Sequence, residues 1–299
     1  MYTTFKIKKK SGGFRTIEAP DENTKKIQKD LLNYFYSKKE YRVSPFCHGG
    51  IKMRSIVTNA QNHVGKKFVA MCDIHNFYSS IKFNMFKKVC GDIFTEEDMN
   101  RIKENCFYKN RLPQGGVTSP YLSNIFLREF DWKMANFFSA EKINYSRYCD
   151  DITLSSNNPD ITSSKLYIFM TRIINSYLKD INLRLNSKKT RILGRNRRQQ
   201  VCGIVVNEKL NVNRKFKKNL RAAIFQAKNK DLSPELIGKK AFTDMVVKSN
   251  NKSRNTIDYL VDHYKNMLVK NRLLNNNDLI TIASAKLKKI REDSNDGRD

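Results

Sequence analysis

The sequence predicts an α+β fold in two parts, a mixed body of strands and helices to about residue 207 and an all-helical remainder. Three observations predict it. Short apolar runs of strand character, Phe68–Asp73 foremost, are interspersed with stretches whose apolar residues recur at helical spacing. After Asn207-Glu208-Lys209 only helical spacing remains. No internal repeat or low-complexity tract breaks up the 299 residues, which suffice for two or three subdomains around a sizeable core.

The elements follow in order. Residues 6–17 read as a basic hairpin: Lys6-Ile7-Lys8-Lys9-Lys10, a Ser11-Gly12-Gly13 turn, then Phe14-Arg15-Thr16-Ile17. Ile27, Leu31, Leu32 and Phe35 give residues 23–40 a helical stripe. Residues 68–73 form a buried strand, followed by helices near 82–91 and 95–107. Residues 120–138 read as one helix with Pro120 in its first turn. A hairpin spans 143–155, with strands Ile143–Tyr148 and Ile152–Ser155. A helix near 162–181 leads to strands near 189–193 and 200–206. Helices are expected at 214–230, 234–248 and 255–271.

Charge narrows the function. Lys plus Arg is 57 against 29 Asp plus Glu, a formal +28. That excess predicts a polyanionic partner, nucleic acid before an anionic membrane. No apolar run approaches 18 residues, so no membrane partner is expected. Lys6, Lys8, Lys9 and Lys10 are followed by no apolar stretch, so no secretory signal is expected either. Cysteines 47, 72, 90, 106, 149 and 202 show no CxxC pair, which reads as free thiols in a reducing cytoplasm.

The chemistry centres on Tyr148-Cys149-Asp150-Asp151. Side chains alternate along a strand, so a hairpin tip is one of few places able to hold neighbouring acids near one site. Asp73 ends the run Phe68-Val69-Ala70-Met71-Cys72-Asp73. Three carboxylates at adjacent strand ends suit two Mg²⁺ ions about 3.5–4 Å apart, clamping the attacking and leaving oxygens of a phosphoryl transfer. Taken alone, such an Asp pair is more often an ordinary surface turn than a catalytic site. Leu112-Pro113-Gln114-Gly115-Gly116-Val117-Thr118-Ser119-Pro120, opening a helix between the two acid blocks, changes that weighing.

In this order the blocks resemble the reverse transcriptases of bacterial retroelements. The stretch from Asp73 through Phe77-Tyr78-Ser79-Ser80-Ile81 resembles their first catalytic block, Leu112–Pro120 their template- and nucleotide-positioning block, and Tyr148–Asp151 their YxDD block. Asn186-Ser187-Lys188-Lys189-Thr190 resembles the block that follows, and Cys202-Gly203-Ile204 the primer grip. The match runs over roughly residues 6–207. It implies a right-hand polymerase with fingers at 1–67 (84–127 partly fingers), an RRM-like antiparallel-sheet palm at 68–207, and a helical, RNA-binding thumb at 208–299. Mg²⁺ (two ions) and dNTP substrates come with it.

Roles follow from the resemblance and the chemistry. Asp73 and Asp150 are the best metal bridges, Asp151 is a weaker or indirect ligand, and the Ile74 carbonyl is a further one. Tyr78 resembles the aromatic that stacks under the incoming sugar and excludes a 2′-OH, with a core aromatic as the plain alternative. Arg15 is the candidate for a bidentate grip on the triphosphate, with Lys8 or Lys10 as point charges. Gln114 and Gly115 resemble the floor of the nucleotide site. Lys189, or alternatively Lys188, is a general acid for pyrophosphate or a plain phosphate contact. Two acid-free basic stretches look like nucleic-acid track: Arg184–Arg198, and Asn211–Lys230, where Arg214, Lys217, Lys218 and Arg221 share a helix face.

Two further motifs resemble retron reverse transcriptases: Asn59-Ala60-Gln61-Asn62-His63 matches NAxxH, and Val201-Cys202-Gly203 resembles VTG with Cys for Thr. Both are expected to contact RNA, although His63 reads equally as a packed core histidine. The resemblance implies a cognate structured noncoding RNA, priming from a 2′-OH within it, a branched RNA–DNA product, and an effector protein of the same operon in antiphage defence. The alternatives are another small reverse transcriptase (diversity-generating or group II intron-like) and a catalytically silent RNA-binding scaffold. The full acid set with Gln114 and Lys189 argues against the scaffold.

Overall fold

The computed structural model describes residues 2–9, 12–227 and 233–250. Lys10, Lys228, Lys230 and the helix expected at 255–271 lie outside the described residues. The chain divides into two compact units, residues 1–210 and 211–299.

The first unit opens with β1 (Tyr2–Lys8) and β2 (Phe14–Pro20), an antiparallel hairpin longer at both ends than the sequence pattern indicates. Helix α1 (Glu22–Ser37) starts at Asp21, whose carboxylate accepts from Thr24 N–H and caps the first turn. Helix α2 (Ile56–Gln61) is capped reciprocally by Ser55 and Thr58. Then come β3 (Phe68–Asp73), α3 (Phe77–Ser80), α4 (Phe83–Cys90), α5 (Glu96–Cys106), α6 (Ser119–Phe126), α7 (Arg128–Ala140), β4 (Asn144–Tyr148) and β5 (Asp151–Ser156). The expected 120–138 helix is two helices, because the chain turns at Leu127, whose backbone leaves the helical region. The expected 162–181 helix is α8 (Ser163–Ile168), a π-helical stretch (Phe169–Ile174) and α9 (Asn175–Asp180). A 3₁₀ turn (Ser187–Lys189) leads to β6 (Arg191–Gly194). The expected strand 200–206 is a minimal hairpin of β7 (Gln200–Val201) and β8 (Ile204–Val205). Its two-residue turn has both φ angles positive, Cys202 at 48° and Gly203 at 82°, as hairpin twist favours.

A four-stranded antiparallel sheet in the order β4-β5-β3-β6 forms the centre. Register decides what each face carries. Asp73 pairs with Asp151, Met71 with Thr153, and Thr153 with Ser146, so these side chains and Ser155 share one face. Cys72, Ile152, Leu154, Tyr145 and Arg147 occupy the other. Phe35, Phe86, Leu112, Leu122, Phe126, Phe138 and Leu154, each fully buried, belong to one continuous core that joins the sheet to its helices. In the second unit α10 (Arg214–Gln226) packs on α11 (Pro234–Lys248), with Phe216 edge-on to Phe242 at 6.0 Å.

The β1–β2 hairpin is docked by backbone. Glu18 N–H donates to the Gln114 carbonyl at 3.0 Å, and Arg111 pairs with the buried Glu18. Gly115 has φ +138°, and a Cβ there would lie 2.8 Å from the Glu18 carbonyl oxygen. Gly115→Ala is expected to destabilise the protein by about 1–3 kcal/mol and to loosen the hairpin, measured by urea unfolding and by amide exchange over residues 14–19.

Candidate active site

The three acids converge as the register requires. Asp73 is the last residue of β3 and Asp151 the first of β5, directly opposite each other. Cys149 and Asp150 form the two-residue turn between Tyr148 and Asp151. The Asp150 carbonyl accepts from Ile74 N–H at 2.9 Å, which closes the hairpin tip onto the end of β3. Asp73 is the most engaged acid: Lys189 Nζ donates to its Oδ2 at 2.8 Å, Asn186 Nδ2 lies 3.5 Å from its Oδ1, and Asn186 N–H donates to its carbonyl at 2.7 Å.

Burial and the neighbouring acids raise the pKa of Asp150 and Asp151. Burial, then repulsion from Asp73, raises Asp150, while Lys189 acts in the opposite sense. Burial, then Asp150 and Asp73, pushes Asp151 up to about 7. Asp151 keeps solvent-exposed surface, so water screens part of that shift. The hydrogen bond to Asp73 holds Lys189 protonated.

Cys149 adopts φ +53° at the first turn position, a conformation that disfavours any residue with a Cβ. A buried network holds it there. Arg147 is wholly buried and grips wholly buried Asp131 through two parallel bonds, Nε to Oδ1 at 2.8 Å and Nη2 to Oδ2 at 2.7 Å. Its Nη1 donates to the Cys149 carbonyl at 2.8 Å and to Asn124 Oδ1 at 3.0 Å. Asn124 in turn donates to the Gly49 carbonyl at 2.7 Å. A Cβ on Gly49 would sit 2.4 Å from Cys149 Sγ, so only glycine fits behind the turn. Tyr78 is half-buried beside this turn, and its hydroxyl meets the Cys149 thiol.

The remaining candidates separate into three groups. Arg184, Lys188, Lys189, Arg191, Arg195, Arg197 and Arg198 are all exposed, as a nucleic-acid track needs. On α10, Arg214, Lys218 and Arg221 are exposed and Lys217 is half-buried. Arg15 and Lys8 are both exposed, but Arg15 pairs with Ile7 and Lys8 with Phe14. They therefore lie on opposite hairpin faces and do not converge on one ligand. Gln114 is half-buried, and the close approach at Gly115 is to β2. Asn59, His63 and Val201, expected to contact RNA, are each fully buried. Cys202 is half-buried, and Gly203 is exposed at the turn.

Comparison with known proteins decides the family. The model of the family "Reverse transcriptase (RNA-dependent DNA polymerase)" matches residues 7–260. The chain belongs to that family. It is 32% identical over 232 residues to the retron Ec86 reverse transcriptase of Escherichia coli, covering 75% of this chain and 69% of the relative. It is 30% identical over 251 residues to the retron Mx65 reverse transcriptase of Myxococcus xanthus, covering 77% of this chain and 57% of that relative. These matches make it a retron-type reverse transcriptase, an RNA-directed DNA polymerase and nucleotidyltransferase. A telomerase structure from Candida albicans aligns over 90% of this chain and 56% of its own, at 11% identity and a TM-score of 0.49. No helix among the described residues of the reverse transcriptase is long and apolar enough to cross a membrane.

The family implies a divalent metal and dNTP substrates. The donor chemistry here fits Mg²⁺: hard carboxylate oxygens, and an Asp73 that already holds a cation, the Lys189 ammonium. Among the described residues no three acid, His or Cys side chains cage an ion unaided. Substrate phosphates and water would complete its shell, as Mg²⁺ favours.

Arg147 missed detection because an arginine in a strand reads as surface. The signal was its alternation with Tyr145 on an inward face, and Asp131 on the apolar side of α7.

Two outcomes test this geometry. Arg147→Met leaves Asp131 buried without its cation and is expected to cost about 3–5 kcal/mol. Adding Asp131→Leu should recover most of that stability in urea unfolding, yet leave primer extension depressed, because the Cys149 carbonyl still lacks its donor. Second, Asp150 and Asp151 bind protons more tightly folded than unfolded, so folded stability falls as pH rises, for Asp151 through the interval from 3.8 to about 7. The melting temperature of metal-free enzyme should drop more steeply between about pH 5 and 8 than that of Asp151→Asn; equal slopes in scanning fluorimetry would remove the electrostatic account.

Proposed function

We propose that this reverse transcriptase binds one cognate structured noncoding RNA, primes from a 2′-OH within it, and copies part of it into branched multicopy single-stranded DNA. One observation carries the catalytic half: Asp73 faces Asp151 across β3–β5 while the Asp150 turn closes on Ile74, with a lysine cation at Asp73. The choice of RNA and primer rests on kinship to retron enzymes. Kinship alone also motivates an effector protein of the same operon, antiphage defence and a cytoplasmic setting.

In this reading residues 1–67 and part of 84–127 are fingers, 68–207 palm and 208–299 thumb. Asp73 and Asp150, with the Ile74 carbonyl and less directly Asp151, hold two Mg²⁺ ions. When bound, those ions activate the attacking hydroxyl and neutralise charge on the leaving pyrophosphate. Lys189 leaves Asp73 for the leaving phosphates and supplies a proton or a plain ionic contact there. Arg15 grips the triphosphate from one hairpin face, leaving Lys8 to contact nucleic acid from the other, and Gln114 and Gly115 floor the nucleotide. Tyr78 stands under the sugar and excludes the 2′-OH, its ring steadied by the Cys149 contact. Arg214, Lys217, Lys218 and Arg221 follow RNA phosphates, and Cys202 and Gly203 approach the primer or RNA strand.

The test is the nucleic acid that copurifies from the native operon, treated with RNase and debranching enzyme and then sequenced. A short discrete DNA joined through a 2′–5′ branch is expected, absent from Asp150→Asn; heterogeneous RNA alone would overturn the reading. In primer extension, Tyr78→Ala should raise ribonucleotide incorporation by about 10-fold or more, as loss of a contact worth about 1.4 kcal/mol gives; incorporation unchanged from wild type removes the gate assignment.

A further inference from the structure

The Asn59–His63 motif spans the end of α2, which packs on β4 and on the β7–β8 hairpin, and His63 meets the sheet face that carries Asp73 and Asp151. Asn59, His63, Ser146 and Ser155 are all buried and linked. His63 Nδ1 lies 2.7 Å from Ser155 Oγ, and Nε2 lies 2.7 Å from Ser146 Oγ. Ser146 Oγ donates to Asn59 Oδ1 at 2.7 Å, and Asn59 Nδ2 donates to Cys202 Sγ at 3.3 Å.

Donor counting fixes the direction. Ser146 has one hydroxyl hydrogen and spends it on Asn59, whose amide oxygen only accepts. Ser146 Oγ must therefore accept from His63 Nε2–H, and Nδ1 of a neutral imidazole then accepts from Ser155. Every link points the same way, from β5 through His63, β4 and Asn59 to Cys202. Bonds aligned in this manner polarise one another inside a protein. The far end is a turn in which Cys202 is held at positive φ. The near end is on β4 and β5, with Ser146 two residues before Tyr148 and Ser155 four after Asp151.

We propose that Asn59 and His63 are positioning residues for DNA synthesis rather than RNA contacts: their relay fixes the Cys202–Gly203 turn relative to the acidic hairpin, so that the strand end resting on that turn meets the metals in register. The inference rests on the primer-side reading of that turn.

The experiment uses the full chain with a supplied primer–template, alongside filter binding of the cognate RNA. Asn59→Leu and Cys202→Ala should each lower the extension kcat by about 10- to 100-fold, the loss that a small misplacement of reacting groups produces. RNA affinity of Asn59→Leu should stay within about 2-fold, less than loss of a direct contact gives. The double variant should be no slower than the worse single one, since both break one chain. Cys202→Ser, which keeps an acceptor, should recover most of the rate. Amide exchange should show residues 201–204 less protected in Asn59→Leu, with 2–20 unchanged. Weakened RNA binding at unchanged kcat, additive losses, or unchanged protection at 201–204 would each overturn the proposal. Because the primer is supplied, absence of branched DNA in the native operon would defeat the RNA-priming reading and leave this one standing.

Discussion

A guanidinium buried to zero exposure, Arg147 against Asp131, is the constraint on which the architecture around the four-stranded sheet depends. Ions removed from water are costly unless geometry is excellent and every donor is used. Arg147 comes close to both, spending four of its five N–H groups on partners from three places: Asp131 on α7, Asn124 on α6 and the Cys149 carbonyl. Tyr145 adds its hydroxyl to Asp131 at 2.7 Å, and Asn124 reaches the Gly49 carbonyl. One charge pair thereby locks two helices, an edge strand, the segment behind it and the turn that presents Asp150. A hydrophobic pair of equal volume could match the stability, but it could not aim a donor at the turn.

The turn needs such support because the site works against the fold. Asp73, Asp150 and Asp151 repel one another, and Cys149 sits where glycine is favoured. Strain and repulsion at one hairpin tip are what a cation-binding site requires, and they persist only because the neighbours over-determine the geometry. Lys189 moderates the repulsion from outside the sheet.

Much of this was legible in the sequence. Asp73 and the Asp150–Asp151 pair announced themselves because a strand end and a hairpin tip are local patterns. The mixed body was readable from periodicity, as were helices expected at 214–230 and 234–248 and described at Arg214–Gln226 and Pro234–Lys248. Features that depend on long-range pairing were not readable. Nothing local breaks a helix at Leu127, where tertiary packing decides. The Asn59–His63 motif is polar and suggested a surface role, yet serines from β4 and β5 satisfy it inside the protein. Lys8 and Arg15 share a basic hairpin, and only register shows that they face opposite ways.

The strand order has a consequence for how the enzyme is made. β3 lies between β5 and β6, both of which follow it by far in the chain. A nascent chain that has just produced Asp73 holds β3 with neither neighbour until β5 begins at residue 151, and without β6 until residue 191 emerges, more than a hundred residues later. At roughly 5–20 residues per second the wait for β6 lasts on the order of 6–24 s. Throughout it the Val69-Ala70-Met71-Cys72 edge is open to mispairing, and no partial product can copy RNA. The sheet around Asp73 is therefore completed late in translation and in two steps, first by β5 and then, once Lys189 has emerged, by β6.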